Sequence, residues 1–207
     1  MGKYEVSQEV KERNRALCEK YPFLIPHNRW SRKRITEAQD GGYWPGNPEE
    51  IPEYDWEYTE LDDMPDGWRI AFGEQLCEDL KRELLAVGGQ KALENYMVVQ
   101  IKEKYGYLRW YDNGCTERWY REILPKYEAL SERTCLHCGK PAKFISTGWI
   151  SPWCEDCAKE INDRMVPVEE WFRKDGEDPT EDLLNTAEAV EDLIGPRACK
   201  EEVGEDG

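Results

Sequence analysis

Between Trp68 and Val87 apolar side chains recur in steps of three and four. Phe72, Leu76, Cys77, Leu80, Leu84 and Val87 share one face of a predicted helix, and Gly88-Gly89 supplies its stop. The pattern then changes. Tyr96 to Lys102 and Tyr107 to Tyr111 are rich in β-branched and large side chains, which predicts two strands joined by a turn at Gly106. A two-stranded hairpin is marginal alone, so the helix from Trp68 is expected to cover one of its faces. Weaker helical patterns flank this unit. Gln8 to Lys20 has Ser7 as N-cap, stops at Tyr21-Pro22 and carries only Val10 and Leu17 as an apolar stripe. Thr116 to about Arg133 contains Pro125, which either kinks the helix or opens a second one. Phe23-Leu24-Ile25-Pro26 reads as extended. Near the end, Thr180 caps a last helix with Leu183, Leu184, Ala187, Val190 and Ile194 on one side, before Gly195-Pro196.

Two stretches follow no period. His27 to Arg34 places Arg29, Arg32, Lys33 and Arg34 around Trp30, a set that can bind phosphate and stack a base, or serve as a solvated basic arm. Thr36 to Gly67 contains no Lys or Arg. Four prolines and Gly41-Gly42 make it a long loop, yet it is threaded with aromatic rings. Trp44, Tyr54, Asp55, Trp56, Glu57 and Tyr58 are therefore the candidates for an acidic, aromatic contact surface. The segment Asp55 to Tyr58 is expected to lie either on the protein's own core or on a basic partner. On the hairpin, Lys102, Lys104 and Arg109 gather with Tyr105, Tyr107 and Trp110 as a second candidate nucleic-acid surface. The alternative reading is that the cations keep an exposed strand from pairing with other chains while the rings fill the core.

Chemistry concentrates in two Cys-x-x-Cys pairs, Cys135-Leu-His-Cys138 and Cys154-Glu-Asp-Cys157, with fifteen residues between the inner cysteines. Each pair can span one edge of a tetrahedron, and the segment between them can fold back, so all four thiolates are expected on one structural zinc. Iron has the same ligand set and is not separated by spacing. Gly139 suits the positive φ of a knuckle. Lys143 to Ile145 and Trp149 to Ser151 predict two short strands around Thr147-Gly148, and Glu155 to about Val166 a helix ended by Pro167. Knuckle, hairpin and ligand-bearing helix make a treble-clef-like finger, with His137 facing solvent and Val168 to Phe172 packing Trp171 back on it. Cys18, Cys77, Cys115 and Cys199 stand at no ligand spacing and read as free thiols.

Composition narrows the function classes. Over 207 residues there are 44 acidic and 28 basic side chains, a net charge of −16, which repels a duplex at long range and favours a basic protein partner. No apolar run suggests a signal peptide or a membrane span, so residence in the cytoplasm is expected. Two histidines, no phosphate-binding glycine loop and no nucleophile motif argue against an enzyme.

The expected architecture is α+β. Residues 1–67 hold the first helix, basic arm and acidic loop, and 68–133 a core of helix, β-hairpin and helix. Residues 134–172 form a four-cysteine zinc finger, and 173–207 the C-terminal helix and acidic tail. Met64 to Cys77, Gln100 to Tyr111 and the cysteine pairs flanking Gly148-Trp149-Ile150 resemble uncharacterised proteins encoded by phages, prophages and mobile elements of gut Firmicutes, over about residues 60 to 160. Such proteins often carry Phe and Gly in the hairpin where this chain has Tyr105 and Tyr107. The resemblance implies a mobile-element accessory protein inside a bacterial host cell. The expected function is non-enzymatic binding of a host protein, for instance inhibition of a defence nuclease by acidic mimicry of nucleic acid, as anti-CRISPR proteins do. The alternative is a nucleic-acid-binding accessory protein using Arg29, Arg32, Lys33 and Arg34 with hairpin cations or Lys140 and Lys143.

Overall fold

A computed structural model describes residues 6–27, 34 and 55–173. The final helix from Thr180, Cys199, and the candidates Arg29, Trp30, Arg32, Lys33, Trp44 and Tyr54 lie outside the described residues.

Helix α1 spans Gln8–Lys20, with the Ser7 hydroxyl accepting from the Val10 N–H. Its buried stripe is built on Asn14 and Cys18 as well as the half-buried Val10 and Leu17. Pro22–Leu24 is a 3₁₀ turn, where the sequence suggested extended chain; Phe23 and Leu24 are driven inward by burial, and only a tight turn points both at the core. A second 3₁₀ turn, Glu60–Asp63, opens with Thr59 and Asp62 closing a capping box.

The long helix runs through α2 (Asp66–Trp68), a π-turn (Arg69–Gly73) and α3 (Glu74–Asn95), the last interrupted at Gly89. Phe72, Leu76, Cys77, Leu80 and Leu84 are buried as the periodicity requires, but Val87 is exposed. Helix packing ends one turn before that residue. At Gly89 the backbone takes φ 60° and ψ −153°, a conformation open essentially to glycine alone, and a short helical stretch resumes as far as Asn95. The last core helix consists of a π-turn (Trp119–Ile123) and α4 (Leu124–Glu132), started by Thr116 Oγ1, which accepts from the Trp119 N–H. Pro125 lacks an N–H and would press on the carbonyl of Arg121. Widening the preceding turn to π geometry relieves that clash and keeps one helix.

Strands β1 (Val98–Lys104) and β2 (Tyr107–Asp112) form the predicted hairpin. A bulge between Val98 and Gln100 turns both Val98 and Ile101 inward, although they stand three residues apart. Ile101, Leu108 and Trp110 join the helical side chains in one buried cluster. Outside the hairpin itself, β2 packs most closely on α4 and β1 on the Glu60–Asp63 turn. Ser131, fully buried on α4, accepts the outward Leu108 N–H, which occupies the edge of β2.

A second sheet has order β4-β3-β5, from Phe144–Ser146 (β3), Ser151–Trp153 (β4) and Met165–Pro167 (β5), all antiparallel. The predicted helix after Cys154 is shortened to α5, Glu155–Ala158. The reason is Asp163, whose carboxylate accepts from the N–H groups of Gly148, Trp149 and Arg164, so the chain turns back as β5 instead of continuing as helix. Helix α6 (Val168–Arg173) then packs Trp171 and Phe172 against a small cluster of Ala142, Ile145 and Val168. The fold class is thus α+β, with a helix and hairpin core and a four-cysteine module.

Candidate metal centre and nucleic-acid interface

The first cysteine pair sits on a knuckle. The Cys135 N–H donates to the Lys140 carbonyl, the Gly139 N–H donates back to Cys135, and Gly139 holds φ 78°. The second pair sits on α5, where Cys154 Sγ accepts from the Cys157 N–H as a cap. The β3–β4 hairpin brings the two together. The four sulfurs lie 3.5–3.9 Å apart, with Cys138 and Cys154 at 3.5 Å. Four sulfurs at about 2.3 Å from a tetrahedral ion stand about 3.8 Å from one another, so this arrangement can hold one metal ion with no ligand position left open. Among the described residues it is the one such group of three or more possible ligands. Burial pushes the Cys138 thiol up to about 11 and raises Cys157, whereas at Cys154 burial is outweighed by the hydrogen bonds it accepts and its thiol is lowered; a metal entering the site displaces protons from the raised thiols. His137 is exposed and outside the cluster, as its knuckle position suggested.

The module is locked to the core by contacts that no motif announced. The Gly67 N–H donates to the Leu136 carbonyl (3.0 Å), and Trp68 Nε1 donates to the Thr134 carbonyl (3.0 Å). A Cβ on Gly67 would fall 2.1 Å from the Cys135 carbonyl oxygen and 2.7 Å from the Gly139 nitrogen. The start of the long helix therefore rests directly on the knuckle backbone. On the other side, Gly106 of the core hairpin touches Ile150 and Pro152 of the module.

Of the acidic, aromatic candidates, the described ones lie on the protein itself. Asp55 and Glu57 form ion pairs with Lys11, the Trp56 carbonyl accepts from Asn14 Nδ2, and the Trp56 ring packs partly against the main cluster. Trp56 takes φ 57°, outside the usual range for a non-glycine residue, to make this turn. Tyr58 remains exposed.

The hairpin candidates share one face. Gln100, Lys102 and Lys104 stand outward across from Tyr111, Arg109 and Tyr107, while Ile101, Leu108 and Trp110 point to the core. Lys102 is directly opposite Arg109. Two like charges in that position repel, and among the described residues no carboxylate pairs with either, or with Lys104. Each cation instead lies over a ring: Lys102 over Tyr111 (5.0 Å), Lys104 over Tyr105 (5.4 Å) and Arg109 over Tyr107 (4.2 Å). Glu128 accepts from the Tyr107 hydroxyl at 3.1 Å. Burial raises its carboxyl, while that hydrogen bond and the Arg109 charge act the other way. Arg34 lies elsewhere, bridging to His27 and donating to the Glu94 carbonyl. Lys140 pairs with Asp156, and Lys143 is exposed on the module. Sequence reasoning included Trp110 on this face, but it belongs to the core. It left out Tyr111, which the strand parity opposite Gln100 identifies.

No family model, no curated protein and no solved structure matches this chain. No helix among the described residues is long and apolar enough to cross a membrane.

Proposed function

We propose that this protein binds single-stranded nucleic acid on the outer face of β1 and β2, as a non-catalytic accessory protein whose four cysteines hold a structural zinc ion. The observation that carries this reading is the Lys102–Arg109 pair. In a chain with 44 acidic residues, one sheet face presents three cations with no carboxylate at ion-pair distance among the described residues, interleaved with Tyr105, Tyr107 and Tyr111. Phosphates neutralise such a face and bases stack on such rings. The overall charge opposes this less than it suggests, because residues 174–207 alone carry 12 acids against 3 bases, a net −9 of the −16. Zinc rather than iron suits a non-redox support, and its closed four-sulfur shell fits a structural role.

Fluorescence anisotropy with oligothymidylate tests the reading. Binding should fall with salt at a log–log slope of about −2 for three neutralised phosphates, and the double change Lys102→Glu with Arg109→Glu should weaken it by tenfold or more, on the order of a few kcal/mol. Absence of binding at low salt, or no response to the double change, overturns it.

A second reading keeps the host-protein partner with a basic surface, for instance a defence nuclease, and is favoured by the acidity of the tail. A stoichiometric protein captured from nuclease-treated bacterial lysate, lost when residues 174–207 are removed, would support it.

A further inference from the structure

The tips of the two hairpins adjoin. Gly106, in the β1–β2 turn, would place a Cβ 3.3 Å from the Ile150 oxygen and 3.5 Å from its side chain. One residue away on each chain are Tyr105 and Trp149, among the most exposed large side chains of the described residues, at 68% and 72%.

Neither ring serves the fold. The turn has two central residues with positive φ, 58° at Tyr105 and 77° at Gly106, the type I′ geometry that favours Asn or Gly at the first position. A tyrosine there adopts an unfavourable backbone and buries little. Trp149 sits on a pinned turn. Asp163 accepts from the Gly148 and Trp149 N–H groups, and the Ser146 hydroxyl donates to the Trp149 carbonyl. The Asp163 charge is thereby directed into the backbone. Desolvation works against it, but the N–H groups of Arg164, Gly148 and Trp149 hold its carboxyl below the usual range. With the backbone of this turn already pinned, only the two side-chain torsions of the indole remain to be ordered when something stacks on it.

The position of these rings is continuous with the cationic face. Lys104 lies over Tyr105 at the end of the row formed by Tyr111, Lys102, Arg109 and Tyr107. We propose that Tyr105 and Trp149 are a stacking step that continues the nucleic-acid face from the core hairpin onto the metal module. A single strand passing Lys104 sets its next bases on these two rings. The proposal rests on the single-strand reading above and adds to it a length requirement: the strand must reach past the hairpin, on the order of 4–8 nucleotides in all. A duplex, whose bases are already stacked, cannot use the step.

The test is anisotropy with oligothymidylates of about four and about twelve nucleotides on the zinc-loaded protein. Trp149→Ala should weaken the longer oligonucleotide about tenfold and the shorter one much less, with Trp149→Phe recovering most of the loss. Tyr105→Asn should weaken the longer oligonucleotide while raising the urea midpoint, since asparagine suits the turn; a purely structural tyrosine would lower it. Four retained metal-bound thiols verify each variant's fold. If the longer oligonucleotide binds wild type, responds to the Lys102 and Arg109 changes and ignores Trp149, the stacking step is wrong while the hairpin reading stands. If no oligonucleotide binds wild type, both fail.

Discussion

Asp112, at the end of β2, is a single carboxylate that collects the donors of three elements. It accepts from the Tyr96 and Tyr120 hydroxyls, from Trp119 Nε1 and from the Gly114 N–H, while Trp110 Nε1 donates to the Tyr96 oxygen. Tyr96, Trp110 and Trp119 are all buried, so their polar atoms have no water to turn to. Burial, with the neighbouring Asp112 charge, pushes the Tyr96 hydroxyl well up, which keeps it a donor. Replacing Asp112 with Ala leaves several buried donors unpaired and should lower unfolding free energy by about 3 kcal/mol or more in urea, whereas Asn, keeping one acceptor, should lower it by about half as much. Equal losses for Ala and Asn would show that the charge, not acceptor capacity, is what matters. This cluster was invisible in the sequence, where nothing distinguishes Asp112 from the other carboxylates of the chain.

At the scale of elements, the two helix glycines make a matched pair. Gly89 was legible: it follows Gly88 after the last buried turn, and its φ of 60° needs glycine. Nothing lies within 4 Å of a Cβ built there, so Gly89→Ala meets only backbone strain and should cost about 1–3 kcal/mol. Gly67 was not legible, because its neighbours are Cys135, Leu136 and Gly139, about seventy residues away and unrelated by any period. Gly67→Ala must push helix and knuckle apart and should cost more than Gly89→Ala, about 3 kcal/mol or above, with weakened metal retention. Chelator competition checks the second half of that expectation; unchanged retention would mean that the knuckle forms independently of α2. The shortened α5 has the same origin, since two of the three donors that Asp163 captures, the Gly148 and Trp149 N–H groups, come from the distant β3–β4 turn.

For the whole molecule, the metal site is the support on which both parts rest. Removing the proposed zinc ion should unfold residues 134–173 outright, structural zinc contributing on the order of 10–16 kcal/mol of apparent binding energy in small modules. It should also lower the melting temperature of the core, because Gly67, Trp68 and Gly106 lose the surface they pack on. Circular dichroism before and after chelation measures both, and an unchanged core transition would show that the two parts are thermodynamically separate. The pH dependence follows from the thiols. Protons compete with a metal ion for sulfur, so affinity should fall as pH falls and metal binding should release protons, readable by calorimetry in buffers of different ionisation enthalpy.

The sequence by itself determined the parts whose signal is local. Cysteine spacing marked the four cysteines that meet in one cluster, periodicity marked the long helix, and residue type marked the hairpin and its turn, because each of these depends on residues a few positions apart. Tertiary structure decided what depends on distant chain segments meeting. It laid Asp55 to Glu57 on α1 and set the knuckle on Gly67. It also aligned Lys102 and Arg109 on one face with Tyr111, and brought Tyr105 beside the turn of Trp149. Those juxtapositions arise from packing two hairpins and a helix around shared buried side chains, and packing has no period that a linear chain displays.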